Sequence, residues 1–239
     1  MLNHLNLAQV LFLDVETVPQ VASYNDLPER MKTLWDKKSV YLRKENQMPD
    51  DVYERAGIMA EFGKIVCVSA GYIHESEKGK VFRVKSFYGD EEKLLLTQFC
   101  ASLQAFFAKR RNAQLCAHNG KEFDFPYIAR RILINALPLP AVLDMAGRKP
   151  WDVPHLDTME LWKFGDYKHF CSLDLLTTIL NIPTPKDDID GSQVAAVYYE
   201  EKNIERIVRY CEKDAMSVAQ LLLRYRGEPL LPDMERAGE

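Results

Sequence analysis

The sequence lacks any run of about 18 apolar residues, the length that a membrane-spanning helix needs. Its first residues, MLNHLNLAQV, lack the basic stretch and the long apolar core of a secretory signal. The five cysteines form no C-x-x-C pair, so neither a zinc knuckle nor a disulfide framework is indicated. We therefore predict a cytoplasmic protein whose thiols are reduced.

An excess of positive charge is also missing. The formal net charge is −4, whereas proteins that bind nucleic acid non-specifically usually present a basic surface. Bound divalent cations would invert the field locally, so the acidic balance still permits a metal-dependent enzyme that acts on nucleic acid. The length of 239 residues and the hydrophobic share of 47% are typical of one globular domain, which we place at residues 1–239.

Apolar patterning predicts the elements of the first half of the chain. The stretch VLFLD, which begins at Val10, is typical of a buried strand. Residues from about 25 to 61 are charged, helix-compatible and punctuated by Pro28 and Pro49, which indicates a helical insertion. KIVCVSAGYIH and KVFRVKSFYG are separated by the turn-like ESEKGK, so they form a predicted hairpin that begins at Lys64.

The second half alternates predicted helices with two short strands. Apolar residues recur at helical spacing from Asp90 to Lys109, AQLCAHNG is a predicted strand that ends at Gly120, and a helix with Pro126 in its first turn follows. PHLDTMELW indicates a further short strand, and the last long helix spans 203–226. This order predicts an α/β fold with a mixed, mostly parallel five-stranded sheet flanked by helices.

Two carboxylates follow the first apolar run. Asp14 and Glu16 lie two positions apart, so in a strand both side chains project to one face while Val15 points away. Desolvating two neighbouring carboxylates is costly unless a cation compensates their charge. The alternative is a strand that simply ends in polar residues at the edge of the sheet.

Two further stretches place acids after a strand and on an inward helix face. In HNGKEFDFPYIARR, Asp124 precedes a helix, and the structural alternative is a helix cap that satisfies free amides. In VRYCEKDAMSVAQLL, Tyr210 and Asp214 are four residues apart and share a face that also lies close to Ile207 and Leu221. Buried tyrosine and aspartate need partners, and a simple pair at the rim of the core is the structural alternative.

Together the three stretches are more specific than any one of them. Four carboxylates that converge would repel one another unless cations hold them. Oxygen ligands without histidine or cysteine favour Mg²⁺ or Mn²⁺ over zinc, and two such ions about 3.5–4 Å apart suit in-line displacement at phosphorus. We therefore predict two divalent cations as cofactors, held by metal ligands that come from all three stretches: Asp14, Glu16, Asp124 and Asp214.

The stretches LFLDVETV, HNGKEFDFPYIARR and RYCEKDAMSVAQLLLRY resemble, in order, the motifs of the DEDDy 3′–5′ exonucleases of the ribonuclease H-like fold. The likeness is closest to the proofreading exonuclease domain of family B DNA polymerases and covers about Val10 to Tyr225. CSLDLLTTILNIPTPKDD also resembles the stretch that precedes the third motif. Because too few residues follow Asp214 for a polymerase, the chain looks like a free-standing exonuclease whose helical insertion has no counterpart.

The resemblance implies a role for each site residue. Asp14 would bridge both metals, and Glu16 with Asp214 would hold the metal that binds the attacking water. Glu16 would also contact the terminal 3′-hydroxyl. Asp124 would hold the second metal, partly through water, and the hydroxyl of Tyr210 would orient the nucleophilic water.

Weaker candidates surround these residues. Asn119 matches a motif asparagine expected near the substrate or the acids, and Arg209 stands where a sister subgroup has a histidine, which favours the tyrosine variant. Phe123, Phe125 and Tyr127 are candidates for stacking on terminal bases, although we expect at least two of them in the core. Basic groups that could track phosphates, or simply form solvated helix faces, are Lys109, Arg110, Arg111, Arg130 and Arg131. We expect a structural role for His118.

The predicted function is that of a metal-dependent hydrolase that removes nucleotides from 3′ ends and releases 5′-monophosphates. Single-stranded DNA is the expected substrate, by analogy with proofreading domains. One alternative is an RNA 3′-exonuclease similar to ribonuclease D, because contacts to the 2′-hydroxyl decide between RNA and DNA. Another is a non-catalytic nucleic-acid-binding subunit of a replication or repair complex.

Overall fold

The described residues form a central sheet of six strands. The computed structural model describes residues 2–76, 79–166, 170–183, 189–232 and 234–236. The strands are β1 (Val10–Pro19), β2 (Gly63–Ser76), β3 (Gly79–Tyr88), β4 (Gln114–Ala117), β5 (Leu156–Asp157) and β6 (Met234–Arg236). Their order across the sheet is β5-β4-β1-β2-β3-β6.

Strand directions make this a mixed, mostly parallel sheet, as predicted. β2 runs antiparallel to β1 and β3, while the pairs β1–β4, β4–β5 and β3–β6 are parallel. The prediction of five strands missed β6, which pairs Met234 with Phe82. A three-residue strand with the sequence MER has too little apolar patterning to be recognised, because its place depends on the edge that β3 offers.

In the described part of the chain, seven α-helices accompany the sheet. They are α1 (Glu29–Lys38), α2 (Glu92–Ala108), α3 (Asp124–Ile134), α4 (Thr158–Lys163), α5 (Leu173–Ile179), α6 (Val194–Tyr199) and α7 (Ile204–Arg226). The helices predicted at 90–109 and 203–226 are α2 and α7. Helix α7 begins at a capping Asn203 side chain and ends at Gly227, whose φ of +70° suits glycine.

Alternation along β1 sorts its side chains between two helical layers. Leu11, Leu13 and Val15 pack in the apolar cluster shared with α2 and α3, on one face of the sheet. Val10 and Phe12 pack on the other face against α7. Because side chains alternate along a strand, Asp14 and Glu16 continue the face that looks toward α7. The tertiary fold therefore directs both carboxylates at the helix that carries Tyr210 and Asp214.

The segment between β1 and β2 is a packed helical unit. It contains α1 and three 3-10 helices, of which the longest spans Asp50–Ile58. The Trp35 side chain is fully buried in the segment's own apolar cluster, and its Nε1 donates to the Pro49 carbonyl at 2.8 Å. Gly57 lies so near β1 that a Cβ there would meet the Val18 backbone at 3.1 Å. The segment is therefore anchored on the strand that carries Asp14.

Two expectations about the whole chain can be compared with the structure. Within the described ranges, no helix is both long and apolar enough to cross a bilayer. All five cysteines are free and buried.

Candidate active site

The two acids of β1 lie at an irregularity of the sheet. Asp14 is opposite Ser69 and Glu16 is opposite Cys67 on β2, and the register shifts immediately after Glu16. Bulges of this kind re-aim side chains and are common beside active sites. Glu16 retains only 8% of its exposure although no lysine or arginine of the described chain forms an ion pair with it.

Asp124 approaches Asp14 from the opposite side of β1. It is the first residue of α3 and is 4% exposed. The capping alternative does not describe it, because the cap position belongs to Phe123 and no side-chain cap hydrogen bond forms there. Burial, followed by the charge of Asp14, holds the pKa of Asp124 well above its usual range, and Asp214 adds to the effect.

Helix α7 supplies the remaining two side chains. Ile207 and Leu221 are fully buried, so the face predicted to look inward does so. Tyr210 donates its hydroxyl hydrogen bond to Asp214. Burial raises the pKa of the Tyr210 phenol, and the charges of Asp214, Glu16 and Asp14 raise it further. Tyr210 is therefore a neutral phenol surrounded by acids.

The acids influence one another's pKa values, and a carboxylate oxygen of Asp14 lies within 4.8 Å of one from Glu16. Burial raises the pKa of Asp14 to about 6, although hydrogen bonds from Cys211 and the Val15 amide oppose the shift. Burial also raises the pKa of Glu16 well above its usual range, with further contributions from the charges of Asp14 and Asp214. We call Asp14, Glu16, Asp124 and Asp214 the acid cluster.

The acid cluster fits hard divalent cations. Asp14 Oδ2 is buried and has no hydrogen-bond partner among the described residues, and the same holds for Asn119 Oδ1. A buried acceptor without a hydrogen-bond donor destabilises the fold unless an ion or a water molecule binds to it. Carboxylate oxygens that lack a counter-charge are the ligands that Mg²⁺ and Mn²⁺ prefer.

The loop before Asp124 is fixed by an acid that the sequence analysis missed. Asp157, 2% exposed, accepts from the backbone amides of Asn119 at 3.0 Å and Lys121 at 3.1 Å. It also caps α4 through Met159 N at 2.9 Å and Glu160 N at 3.3 Å. The stretch DTME is a capping pattern that signalled the helix start, but nothing in it indicated contact with the Asn119 loop, where the φ of Asn119 is +60°.

Several weaker candidates have structural roles. Phe125 and Tyr127 are core residues at 0% and 1% exposure, whereas Phe123 is half-buried and lines a cleft with Glu16. His118 bonds to the Thr158 hydroxyl at 2.9 Å and to the Cys171 carbonyl at 2.8 Å, which supports the structural role expected for it.

The basic candidates divide between core and surface. Arg131 as a phosphate contact is wrong, because its guanidinium is 4% exposed and bonds to Glu92 and to the Ala60 carbonyl. Arg110 donates to the Ala8 carbonyl at 3.0 Å and lies 4.0 Å from the Phe106 ring centre. Exposed members of the group are Lys109, Arg111 and Arg130.

A cleft of about 950 Å³ opens beside Glu16. Its lining comes from the helical segment after β1, from residues 191–200 and from Phe123. The charged residues of the lining are Glu16, Asp50, Glu54, Arg55 and Glu200. The charged part of the lining is therefore acidic apart from one arginine.

The architecture is that of the ribonuclease H-like fold, an α/β fold with a mixed sheet flanked by helices. A solved structure of the family B DNA polymerase from the hyperthermophilic archaeon Pyrobaculum calidifontis matches with a TM-score of 0.51 at 15% sequence identity. The match covers 90% of this chain and 24% of the polymerase. At this identity the likeness concerns the fold, and the chain spans about a quarter of the polymerase's length.

Residues 58–228 match a family described as a predicted 3′–5′ exonuclease related to the exonuclease domain of PolB. The chain belongs to this family. The matched range contains Asp124, Tyr210 and Asp214, but it begins after β1 and therefore omits Asp14 and Glu16. The three-dimensional structure is what joins β1 to the matched part of the site.

Proposed function

We propose that this chain is a two-metal 3′–5′ exonuclease that removes nucleotides from the 3′ end of single-stranded nucleic acid, DNA rather than RNA, and releases 5′-monophosphates. Its free thiols suit the cytoplasm, where cysteines stay reduced. The observation that carries the proposal is the mutual electrostatic influence of the acid cluster and Tyr210, whose side chains are buried or partly buried. Carboxylates gathered in this way repel one another and destabilise the fold, and a role in metal-dependent chemistry explains why they are present.

Each acid has a part in this proposal. The charge of Asp14 acts on both Glu16 and Asp124. Asp14 would therefore be shared by both cation positions, with Glu16 and Asp214 completing one and Asp124 completing the other. When bound, two divalent cations supply Lewis-acid activation of a water and stabilise the leaving oxygen. Glu16, which lines the cleft, would also contact the terminal 3′-hydroxyl.

Tyr210 would orient the attacking water. Its raised pKa keeps the phenol protonated at neutral pH, and its hydrogen is directed to Asp214. The phenol oxygen keeps lone pairs with which it can accept a hydrogen bond from a water beside the acids. The neutral Tyr210 phenol would therefore position the water without adding a further negative charge to the acid cluster.

The substrate end would enter through the cleft beside Glu16. Phe123 offers an aromatic surface for the terminal base, since bases stack on such rings without regard to sequence. Asp157 supports this arrangement indirectly by holding the Asn119 loop. DNA is favoured over RNA by the structural likeness to a DNA polymerase.

A 5′-labelled single strand tests the proposal. With Mg²⁺ or Mn²⁺ we expect a ladder of products that shorten from the 3′ end, and with EDTA no products. Asp214→Asn should abolish the ladder, because it removes a ligand. Glu212→Gln is a matched control on the same helix: Glu212 is 3% exposed, but its partners are Ser86 and Arg236 rather than the acid cluster.

Other outcomes would contradict the proposal in distinct ways. A single short labelled product would mean attack from the 5′ end. A matched RNA oligonucleotide that is degraded faster than the DNA would favour the RNA exonuclease. Binding of the strand without cleavage under either metal, unchanged in Asp214→Asn, would favour a non-catalytic subunit.

A further inference from the structure

The helical segment between β1 and β2 separates its charges along the chain. Residues 37–44, KKSVYLRK, contain four basic residues and no acid, whereas residues 45–61 contain five acids and one arginine. We call residues 37–44 the basic segment. It spans the end of α1 and a short 3-10 helix, and it lies outside the family match, which begins at residue 58. None of the roles proposed above uses it.

The fold does not neutralise the cations of the basic segment. Lys37, Lys38 and Lys44 are exposed, and none of them forms an ion pair within the described ranges of the chain. By contrast, Lys32 on the same helix pairs with Glu29 at 3.0 Å. On a chain whose net charge is −4, three such lysines form a local positive surface that attracts a polyanion.

The basic segment is connected to the wall of the cleft beside Glu16. Tyr24 lines the cleft and donates its hydroxyl hydrogen to Asp36 Oδ1 at 2.8 Å. Arg43 Nη2 donates to the backbone carbonyl of the same aspartate at 2.8 Å. Further along the chain, Asp50 lines the cleft again. The basic segment therefore belongs to a loop that starts beside the cleft wall at Asp36 and returns to it at Asp50.

A nucleic-acid strand needs such a surface. Arg55 is the one basic side chain in the described lining of the cleft, whereas non-specific affinity for nucleic acid comes from contacts between phosphates and lysine or arginine. Tyr41, between the lysines, is 68% exposed. Aromatic rings in a basic surface hold single strands by stacking on unpaired bases. The basic segment therefore combines the two kinds of group that bind a single strand without reading its sequence.

We propose that the basic segment binds the substrate strand upstream of its 3′ end, with the lysines on phosphates and Tyr41 stacked on an unpaired base. This inference rests on the proposed function, because the acid cluster fixes where the 3′ end lies. A strand that reaches both the acid cluster and the basic segment binds more tightly than a fragment too short to leave the cleft. The helical segment thus extends the substrate site beyond the terminal nucleotide.

Fluorescence anisotropy of labelled single strands in EDTA tests the inference without cleavage. The wild-type chain should bind a strand of about 20 nucleotides more tightly than one of about three, since single-strand sites span about 4–16 nucleotides. Lys37→Gln, Lys38→Gln and Lys44→Gln together should weaken binding of the longer strand about tenfold or more. The slope of log K against log salt should become shallower by about 2, because each phosphate contact of a single strand contributes about 0.7.

Two controls separate local contacts from overall charge. Lys85→Gln, Lys93→Gln and Lys149→Gln together remove the same charge from exposed lysines outside both the helical segment and the cleft lining. This control variant should keep the wild-type affinity and salt slope. Tyr41→Ala should weaken binding by roughly fivefold or more with an unchanged salt slope, because stacking involves no phosphate. Tyr41→Phe should retain the wild-type affinity.

Two results would overturn the inference. One is a wild-type affinity and salt slope in the variant of the basic segment, and the other is an equal loss in the control variant. Wild-type affinity in Tyr41→Ala would contradict the stacking. Cleavage in Mg²⁺ judges the proposed function separately: a ladder from a chain whose basic-segment variant binds normally overturns this inference alone. The expected binding differences without any ladder would overturn the proposed function alone.

Discussion

Two buried glutamates of equal exposure show how differently this fold treats a carboxylate. Glu92 and Glu16 are each 8% exposed. Glu92 accepts from Arg131 Nε at 2.8 Å, from the Ile65 amide at 2.7 Å and from Asn135 Nδ2 at 2.9 Å. The chain itself supplies the counter-charge and the donors, so Glu92 joins α2, α3 and β2.

Glu16 has the opposite surroundings. Its charged neighbours are Asp14 and Asp214, both of which raise its pKa, and Cys67 lies across the strand pair. Burying like charges together destabilises a fold unless something outside the chain compensates. The burial of an acid is therefore uninformative by itself. The groups that contact the acid distinguish a structural carboxylate from one whose charge requires a bound cation.

The largest expected effect separates these two acids by activity. Glu16→Gln should reduce cleavage in Mg²⁺ by about a thousandfold or more, since metal-held charge stabilisation is worth several kcal/mol. It should leave the melting temperature of the metal-free protein equal or higher. Glu92→Gln, assayed in parallel, should lower stability and retain cleavage by the folded fraction. Equal losses of activity in Glu16→Gln and Glu92→Gln would contradict the distinction between a metal-binding carboxylate and a structural one.

Breaking the structural ion pair should give the next largest effect. Arg131→Met leaves Glu92 buried without its cation, so the free energy of unfolding should fall by about 3–5 kcal/mol. Urea unfolding measures it, and added Mg²⁺ should restore none of the loss. The neighbouring exposed Arg130→Met should change stability by no more than about 0.5 kcal/mol. A similar loss for both would mean that the ion pair contributes little.

The pH dependence of the metal-free protein sharpens the comparison. The folded pKa of Asp14 is about 6 against an ordinary value of 3.8, so between these values the folded state binds the extra proton. The free energy of unfolding should therefore fall as pH rises through this window, by on the order of 2–3 kcal/mol.

Chemical unfolding at several pH values would show this decline, and Asp14→Asn should flatten it. Mn²⁺ at pH 7 should restore the lost stability, since it binds only the folded chain. If the free energy of unfolding of Asp14→Asn still declined with pH, groups other than Asp14 would be responsible for the decline.

The smallest expected effect distinguishes two tyrosines. Tyr210→Phe should lower cleavage by roughly 10- to 100-fold, because a less well positioned water costs rate, while stability stays nearly constant. Tyr127→Phe removes the hydrogen bond to the Gly57 carbonyl at 2.7 Å. It should cost about 1 kcal/mol of stability and little activity. Single-turnover rates and thermal melts on both variants measure the contrast.

The pattern of the sequence predicted most of the framework. Strand alternation gave Asp14 and Glu16 a common face, and helical spacing placed Tyr210 and Asp214 on the inward side of α7. These are local rules with fixed periods. The strand predicted to end at Gly120 instead ends at Ala117, because the chain turns where Asn119 takes a positive φ.

Long-range partners were beyond local rules. Arg131 was a candidate phosphate contact because RR on a helix is usually solvated, but Glu92, 39 residues earlier, buries it. Asp157 was unnoticed because its amide partners on the Asn119 loop lie 36 and 38 residues away. Such contacts depend on which strands become neighbours, and no periodicity within a short window encodes that.

By itself the sequence determined the residue types, their spacing and the face that each side chain takes within its own strand or helix, since backbone geometry fixes those periods. The tertiary structure alone decided which acids meet. It brought β1, α3 and α7 to one place, gave Glu92 a cation and left Glu16 among other acids, and set a thiol within reach of Asp14. Those outcomes depend on distances between distant segments, which only the packed sheet and its two helical layers define.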